Sequence, residues 1–376
     1  MNFKINTVEN KKDLLRFVKS QWNFYKNHPN WVPPLISERM KMLNVNKNPF
    51  FLHSKIKLYL AESGNDVVGR IAAIINDNHN RTHNDTVGFF GFFECINNQD
   101  IANALFESAE KWLSENGMTV MRGPMNPSTN DDLGCLVKGY ELPPVVMMPY
   151  NSEYYHRLIE KAGFEKAKDL FAYKLTLETF VTEKMKRVQS SLRQRYKVKI
   201  REMNIKNNEE FKKDVEIFKN VYNKAWEPNW GFVRMTNEEF DFLADDLKHV
   251  LDPRFALIAE SDGKVAGFAL ALPDINQCLI HNKKGRLLPG LWQLLTKKKK
   301  INLVRIIVLG VLPEYHRTGI DSILYYEFLE RGKVSNYKNG EAGWILEDNV
   351  MMNRGLTMTM NGEHYKTYRI YDKPVV

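Results

Sequence analysis

Cysteine is scarce in this chain, and the three that occur lie far apart. Among 376 residues only Cys95, Cys135 and Cys278 are present. None of them stands in a Cys-x-x-Cys pair or at a Cys/His spacing that would favour a metal site. An odd, sparse set is typical of a reducing compartment and predicts no disulfide framework.

Long apolar runs are also absent. The longest, residues 255–272, is interrupted by Glu260, Asp262 and Lys264. A membrane-spanning helix needs about 20 mostly apolar residues, so no segment is expected to cross a bilayer. The first 17 residues lack the apolar core of a signal peptide. We therefore expect a soluble, cytoplasmic protein, with peripheral contact at the inner membrane left open.

Acidic residues are outnumbered by basic ones. The chain has 54 Lys and Arg against 45 Asp and Glu, a net charge of +9. A basic balance favours an acidic partner, such as nucleic acid, anionic lipid, a phosphorylated cofactor or an acidic carrier protein. The charge alone does not choose among them. The hydrophobic content of 43% predicts an ordinary globular core.

Short motifs repeat at a nearly constant offset. Pro29-Asn30-Trp31 recurs at residues 228–230, and the tripeptide Ala-Glu-Ser at 61–63 recurs at 259–261. Gly69 and Gly267 follow the two copies of Ala-Glu-Ser at the same distance. Chance matching is the alternative. The repeat predicts two related halves, residues 1–178 and 179–376, with a connecting helix at 182–197.

Each half has the same predicted order of elements. A short strand and a helical stretch precede an apolar hairpin. The turn of this hairpin is Gly64-Asn65 in the first half and Asp262-Gly263 in the second. A strand and a helix follow at 88–115 and again at 304–331. This order favours an α/β (α+β) fold in which each half is a mixed, mostly antiparallel sheet flanked by helices.

The segment from Val308 to Tyr325 is the most informative for chemistry. An apolar strand ends near Val311, a polar turn covers 313–319, and an apolar helix follows. A helix start offers unpaired backbone N–H groups and positive potential, which suit a pyrophosphate. Gly319 would let the backbone approach a phosphate closely. An ordinary strand-to-helix turn is the alternative.

This segment resembles the acyl-CoA loop of the GNAT acyltransferase superfamily. His316, Gly319 and Asp321 stand at the three signature positions, and only Gly319 matches the usual residue. The resemblance implies acyl-CoA or acetyl-CoA as co-substrate, without a metal. The donor-binding residues that it implies are Leu309, Gly310, Val311, His316, Arg317, Thr318, Gly319, Ile320, Asp321, Ser322 and Asn349. The first half has the turn INNQD (96–100) in place of such a loop, which predicts a degenerate copy.

A wider resemblance covers most of the chain. Segments such as NWVPPL, GFFGFFE, RGPMNPS, AKDLFAY and YKTYRIYDK resemble a two-domain bacterial family with ceramide synthase-type members. These members acylate the amine of a sphingoid base. The resemblance therefore implies transfer of an acyl group from a thioester to an amine, with a lipid amine as one acceptor.

Acylation of an amine needs a base and benefits from an acid at the leaving thiol. We expect Glu347 as the base, with Asp348 second and Glu94 third; capping or surface contacts are the alternative for the first two. In many GNAT proteins the acid is a Tyr four residues before a Gly. Counting back from Gly362 gives Met358, so Tyr325 is the preferred replacement. Tyr326 and Tyr365 are further candidates.

Residues 283–303 combine six Lys and one Arg with a cluster of Leu residues and Trp292. Such a segment can lie on an anionic membrane, dock an acyl-carrier protein, or pack its apolar side on the domain. Two rival functions also stay open: a transferase that uses aminoacyl-tRNA, and a degenerate GNAT pair that only binds. Nucleic acid is the least expected partner.

Overall fold

The computed structural model of the chain describes residues 1–178 and 182–376. The first half contains, in chain order, β1 (Lys4–Thr7), α1 (Lys11–Lys19), α2 (Gln21–Phe24), α3 (Ile36–Met42), a 3-10 turn (Pro49–Leu52), β2 (Ser54–Ser63), β3 (Asp66–Asn76), α4 (Asp77–His83), β4 (Val87–Cys95), α5 (Gln99–Glu115), β5 (Val120–Gly123), β6 (Met125–Asn126), β7 (Asp132–Leu133), β8 (Cys135–Lys138), α6 (Tyr155–Lys161) and β9 (Glu165–Thr176).

The second half contains α7 (Thr182–Arg195), β10 (Val198–Glu202), α8 (Asn208–Trp226), α9 (Asn237–Leu247), a 3-10 turn (Pro253–Phe255), β11 (Ala256–Ser261), β12 (Lys264–Pro273), α10 (Asn276–Leu279), α11 (Leu287–Lys297), 3-10 turns (Lys298–Lys300 and Pro313–Tyr315) on either side of β13 (Leu303–Val311), α12 (Ile320–Lys333), β14 (Asn339–Leu346), α13 (Val350–Arg354), a π-helical turn (Gly355–Thr359) and β15 (Glu363–Pro374).

The chain forms two compact units. Unit one comprises Met1–Leu170, Asn276–Thr296 and Lys366–Val376, and unit two comprises Phe171–Ile275 and Lys297–Tyr365. Strands β9 and β15 contribute residues to both units. The division between residues 178 and 179, which the repeat suggests, remains a prediction.

In unit one, strands β1 to β5 lie side by side in chain order. The pairs from β1 to β4 are antiparallel, whereas β4 and β5 are parallel and are joined through α5. Helix α5 begins after Asn98, and its residues Ile101, Leu105 and Leu113 are fully buried in the core of the unit. The last residues of β15 extend the sheet antiparallel to β5, with Tyr371 opposite Gly123.

In unit two, strands β10 to β14 lie side by side, with β10 at one edge. The pairs from β10 to β13 are antiparallel, and β13 and β14 are parallel and joined through α12. The β11–β12 turn has positive φ at both Asp262 and Gly263, as a two-residue hairpin requires. Helix α7 packs along α12, where Met185 contacts Tyr326 and Leu329.

The strand registers of the two units are equivalent. In each hairpin the register shifts directly after an alanine. That alanine pairs with a glycine on the second strand of the hairpin, and the glycine pairs on its other side with a residue of the following strand. The equivalent pairs are Ala61–Gly69 and Ala259–Gly267, then Gly69–Cys95 and Gly267–Val311. This confirms the predicted fold class, in which two related mixed sheets, mostly antiparallel, are flanked by helices.

Candidate functional site

Strands β13 and β14 of unit two are paired over only part of their length. The parallel pairing runs from Leu303 opposite Asn339 to Ile306 opposite Ala342, but the strands continue to residues 311 and 346. On its other side β13 stays paired with β12 as far as Val311. A strand that leaves its neighbour in this way offers backbone N–H and C=O groups to an extended ligand.

The predicted residues Leu309, Gly310 and Val311 lie in this part of β13. The side chains of Leu309 and Val311 are partly exposed, so this face of the strand is accessible. Gly310 is buried. A Cβ on this residue would lie 2.4 Å from the indole ring of Trp226 in α8. The glycine is therefore required by helix packing, whereas the partly exposed side chains are the ones that a ligand can contact.

The turn after β13 is held by two side chains. The ring Nε2 of His316 lies 3.1 Å from the carbonyl oxygen of Val311, and the hydroxyl of Thr318 donates to the carbonyl of Tyr315 at 2.6 Å. Arg317 and Gly319 both have left-handed backbones, with φ of 65° and 79°. Left-handed residues in such turns orient successive N–H groups into an anion-binding concavity.

The two crossover helices begin differently. In unit one, the side chain of Asn98 accepts a hydrogen bond from the N–H of Ile101 at 3.1 Å and so caps α5. In unit two, α12 begins after Gly319, which has no side chain to cap it, and the side chain of Asp321 is exposed. The N–H groups of the first turn of α12, including those of Ile320 and Ser322, therefore remain available to an anion.

Gly319 has a second role that the sequence did not reveal. A Cβ at this position would lie 2.5 Å from Cδ1 of Leu192, on α7. The expected reason for the glycine was close approach of a phosphate. The structure adds two others, the left-handed backbone and the contact of α7 with the start of α12.

Tyr325 is buried on α12, and its hydroxyl donates to the sulfur of Met352 at 3.6 Å. Burial, and secondarily the charge of Asp321, raises the pKa of Tyr325 well above its usual range. The hydroxyl is therefore a proton donor at any physiological pH. The neighbouring candidate Tyr326 packs against Met185 on α7.

Glu347, Asp348 and Asn349 form the turn between β14 and α13. The side chain of Glu347 is partly buried, and those of Asp348 and Asn349 are exposed. Asn349 caps α13, since its side-chain oxygen accepts from the N–H of Met352 at 3.1 Å. The backbone carbonyl of Glu347 accepts from the Asn353 amide at 3.2 Å. The capping role considered for the two carboxylates thus belongs to Asn349.

A buried polar group in unit two was not expected. Arg305 on β13 and Glu341 on β14 face each other in the parallel register and are only 2% and 1% exposed. Arg305 donates to the carbonyl of Gly343 at 3.0 and 3.2 Å, and its guanidinium lies 4.7 Å from the ring of Trp344. The third tyrosine candidate, Tyr365, donates to the carboxylate of Glu341. An isolated arginine in the apolar stretch 303–312 was the available sequence signal.

The third base candidate, Glu94, lies in a buried network of unit one. Its carboxylate accepts from Gln21 at 2.8 Å, from the hydroxyls of Tyr25 at 2.6 Å and Tyr155 at 2.7 Å, and lies 3.5 Å from Arg70. Burial raises the pKa of Glu94, while Arg70 and the three hydrogen bonds oppose that rise. A carboxylate with four partners and 4% exposure is well suited to hold elements together.

No protein-family model matches the chain. Two curated proteins match it over nearly its whole length. The bacterial ceramide synthase of Caulobacter vibrioides (strain NA1000 / CB15N) is 34% identical over 375 residues, which cover 97% of this chain and 96% of the relative. The chain belongs to the family of this protein. Protein YghO of Escherichia coli (strain K12) is 33% identical over 383 residues, which cover 99% of this chain and 95% of YghO.

Solved structures of GNAT proteins share the fold. A tandem GNAT protein from the clavulanic acid biosynthesis pathway matches with a TM-score of 0.58 and 12% identity, covering 100% of this chain and 99% of that one. A GCN5-related N-acetyltransferase from Sphaerobacter thermophilus matches with a TM-score of 0.53 and 11% identity, covering 99% and 96%. Family and fold together make this chain a tandem GNAT-type acyltransferase, as the sequence predicted.

In this acyltransferase the predicted donor residues fall into two groups. Ten of the eleven, Leu309 to Ser322, lie on one strand, one turn and the start of one helix. The remaining one, Asn349, is committed to capping α13. Tyr325 connects α12 to the segment of Glu347 and Asp348 through its contact with Met352.

Proposed function

We propose that the chain transfers an acyl group from a CoA thioester to an amine, and that unit two holds the donor. The supporting observation is the start of α12, where an uncapped first turn follows the left-handed Arg317 and Gly319. These N–H groups and the positive end of the helix suit the pyrophosphate of CoA. The partly exposed side of Leu309 and Val311 suits the extended arm that carries the thioester.

Unit one then has a different task. Its equivalent helix start is occupied by the side chain of Asn98, which takes the hydrogen bond that a phosphate would accept. The position of Glu94 on β4 corresponds, by the register of the two sheets, to Gly310 on β13. A buried carboxylate there repels an anionic ligand. We assign unit one to architecture or acceptor binding.

The chemistry removes two protons from the acceptor nitrogen and delivers one to the leaving thiolate. Glu347, or Asp348 beside it, takes a proton from the ammonium of the acceptor, and the free amine attacks the thioester carbonyl. A backbone N–H of β13 beyond Ile306 stabilises the resulting oxyanion. The C–S bond then breaks, the leaving thiolate takes a proton from the hydroxyl of Tyr325, and the second proton of the attacking nitrogen restores that hydroxyl, which leaves a neutral amide and a free thiol. The raised pKa of Tyr325 keeps that hydroxyl protonated until this step.

The acceptor that we propose is a long-chain lipid amine of the sphingoid type. The Caulobacter relative, 34% identical over 97% of this chain, is named as a bacterial ceramide synthase. A ceramide is the N-acyl derivative of a sphingoid base, so the shared reaction would be formation of an amide on a lipid amine.

The test is release of free thiol from a long-chain acyl-CoA by the purified protein, with and without sphinganine. Sphinganine-dependent release, with the N-acyl product identified by mass spectrometry, supports the proposal. Release of thiol only from an acyl-carrier protein would show that the donor is the carrier and not CoA. Copurified RNA together with transfer from aminoacyl-tRNA would show that the donor is aminoacyl-tRNA and not a thioester. Binding of CoA without release from any donor would make the chain a binding module.

A further inference from the structure

Helix α11 exposes large apolar side chains. Leu288, Trp292 and Leu295 are 77%, 65% and 83% exposed, and Leu287 and Leu291 are about half exposed. Their spacing places them on one side of the helix, since residues three and four apart are neighbours. Soluble surfaces carry single exposed apolar residues, but a contiguous patch of five marks an interaction site.

The orientation of α11 on unit one is fixed by its opposite side. Gly290 faces inward, and a Cβ there would lie 2.7 Å from Leu35 and 3.0 Å from the amide of Asn282. Gln293 and Leu294, three and four residues further, are also only partly exposed. The helix therefore presents one face to its unit and the leucine and tryptophan face to solvent.

The segment before α11 is anchored by hydrogen bonds. The indole N–H of Trp22 donates to the carbonyl of Lys283 at 2.8 Å, and the N–H of Ile36 donates to the carbonyl of Gly285 at 2.9 Å. The amide of Asn282 donates to the carbonyl of Arg286 at 2.8 Å. These bonds keep the outward face of the helix from turning inward to bury its leucines.

The charges that flank α11 in the sequence all have the same sign. Lys283, Lys284 and Arg286 precede the helix with exposed side chains, and Lys297, its last residue, begins a run of four lysines, 297–300. No Asp or Glu occurs between Asp274 and Glu314. The apolar face therefore lies within a continuous basic segment.

We propose that α11 docks unit one on an anionic lipid surface. A bilayer interface supplies both an apolar layer for the leucines and Trp292 and negative charge for the basic residues. A second copy of this chain would bring two basic segments together, which disfavours self-association through this face. Among the described residues no helix is long and apolar enough to cross a membrane, so α11 would lie in the interface rather than span it.

The test is co-sedimentation of the full chain with vesicles of phosphatidylcholine alone and with added phosphatidylglycerol. We expect binding to the anionic vesicles that weakens as salt rises, because ions screen the attraction. Replacing Lys297, Lys298, Lys299 and Lys300 with Gln should weaken binding by about fivefold for each lysine in contact with the surface. Trp292→Ala with Leu295→Ala should weaken it at all salt concentrations.

The matched control removes four positive charges from exposed positions elsewhere. It replaces with Gln the side chains of Lys111, Lys161, Lys206 and Lys212. Binding by this control should equal that of the wild type. Equal loss in control and α11 variants, or no binding of the wild type to either vesicle, would overturn the proposal.

Two further readouts separate membrane docking by α11 from a role in the reaction and from self-association. Trp292→Ala should leave transfer to a short, water-soluble amine unchanged, so a failure of membrane binding does not depend on the proposed reaction. Sedimentation velocity without lipid should show no self-association that the variant removes. Self-association of that kind, or binding of an acidic carrier protein in place of vesicles, would assign the face to a protein partner instead.

Discussion

Gly319 at the start of α12 lies against Leu192 of α7, so close that a Cβ on the glycine would come within 2.5 Å of Cδ1 of the leucine. One residue therefore meets two requirements in unit two. It lets α7 pack against the helix start, and it leaves the first turn of α12 uncapped. Any substitution at this position tests packing and anion binding together, and the two must be separated.

We expect Gly319→Glu to lower the affinity for CoA on the order of 10²-fold or more. Like charges a few ångström apart near a protein surface repel by about 4 kcal/mol, and the new carboxylate would stand beside the phosphates. Gly319→Ala is the control, because it introduces the same contact with Leu192 and the same left-handed strain without the charge. Calorimetry measures both; equal affinities of the Glu and Ala variants would remove the donor site from this turn.

Glu347→Gln should lower turnover by about 10²–10⁴-fold, the usual cost of losing a general base. The donor affinity should not change, since the carboxylate is proposed to act on the acceptor. Asp348→Asn is the paired variant, one residue away and exposed. Single-turnover rates and calorimetry distinguish the two effects. If Asp348→Asn is the slower enzyme, the base is Asp348.

Tyr325→Phe should slow transfer from an alkyl thioester with little change in stability, because in the described part of the chain the hydroxyl bonds weakly, at 3.6 Å, to the sulfur of Met352. The defect should shrink with a thiophenol ester, whose leaving group needs no proton. Since the pKa of Tyr325 is raised above 10, ionisation of this group should not lower the wild-type rate below pH 10. An equal defect with both esters would contradict a role as the acid.

Glu94→Ala should lower the free energy of unfolding by about 3–5 kcal/mol, because it leaves the buried Arg70 without its counter-charge. The hydroxyls of Tyr25 and Tyr155 also lose an acceptor. The affinity of unit two for CoA should remain that of the wild type. Chemical denaturation provides the measurement. Normal stability with lost turnover would instead return Glu94 to the role of base.

His79 should make the protein sensitive to acid. Its side chain is 1% exposed, and burial, then the charges of His83 and Arg122, lowers its pKa to about 3. The carboxylate of Asp85, 3.4 Å from Nε2, acts in the opposite direction, but burial outweighs it. Unfolded His binds a proton near pH 6.5, so stability falls as pH drops from 6.5 toward 3, by up to about 1.4 kcal/mol per pH unit.

The substitution His79→Phe should remove the contribution of this residue to the loss of stability at low pH. The imidazole packs edge-on against Phe89, and a phenyl ring can make the same contact without binding a proton. Urea unfolding at pH 7, 6, 5 and 4 measures the difference between the two proteins. Parallel curves over that range would mean that the pKa of His79 is the same in the folded and unfolded states.

The features that the sequence predicted well are those encoded by neighbouring residues. The strand and helix expected at 88–115 are β4 (Val87–Cys95) and α5 (Gln99–Glu115), and the turn at Asp262-Gly263 has the backbone that its residues favour. The equivalent registers of the two sheets follow from the same local repeats. Periodicity and turn chemistry act over a few residues and can therefore be read directly.

The features that were missed depend on residues far apart in the chain. Arg305 and Glu341 meet only because β13 and β14 are parallel across a helix, and no local pattern contains that register. Leu192 reaches Gly319 only after α7 packs on α12. The sequence also left undecided whether the leucine face of α11 is buried or exposed, because its leucines fit a buried helix as well as an exposed one.

The pairing of β15 with β5 has a consequence for how the chain is made. Unit one takes most of its residues from Met1–Leu170, yet its sheet is completed by residues 366–374, where Tyr371 lies opposite Gly123. During synthesis at about 5–20 residues per second, roughly ten seconds or more separate the two segments. The growing chain must therefore keep the edge of β5 unpaired until its last strand leaves the ribosome.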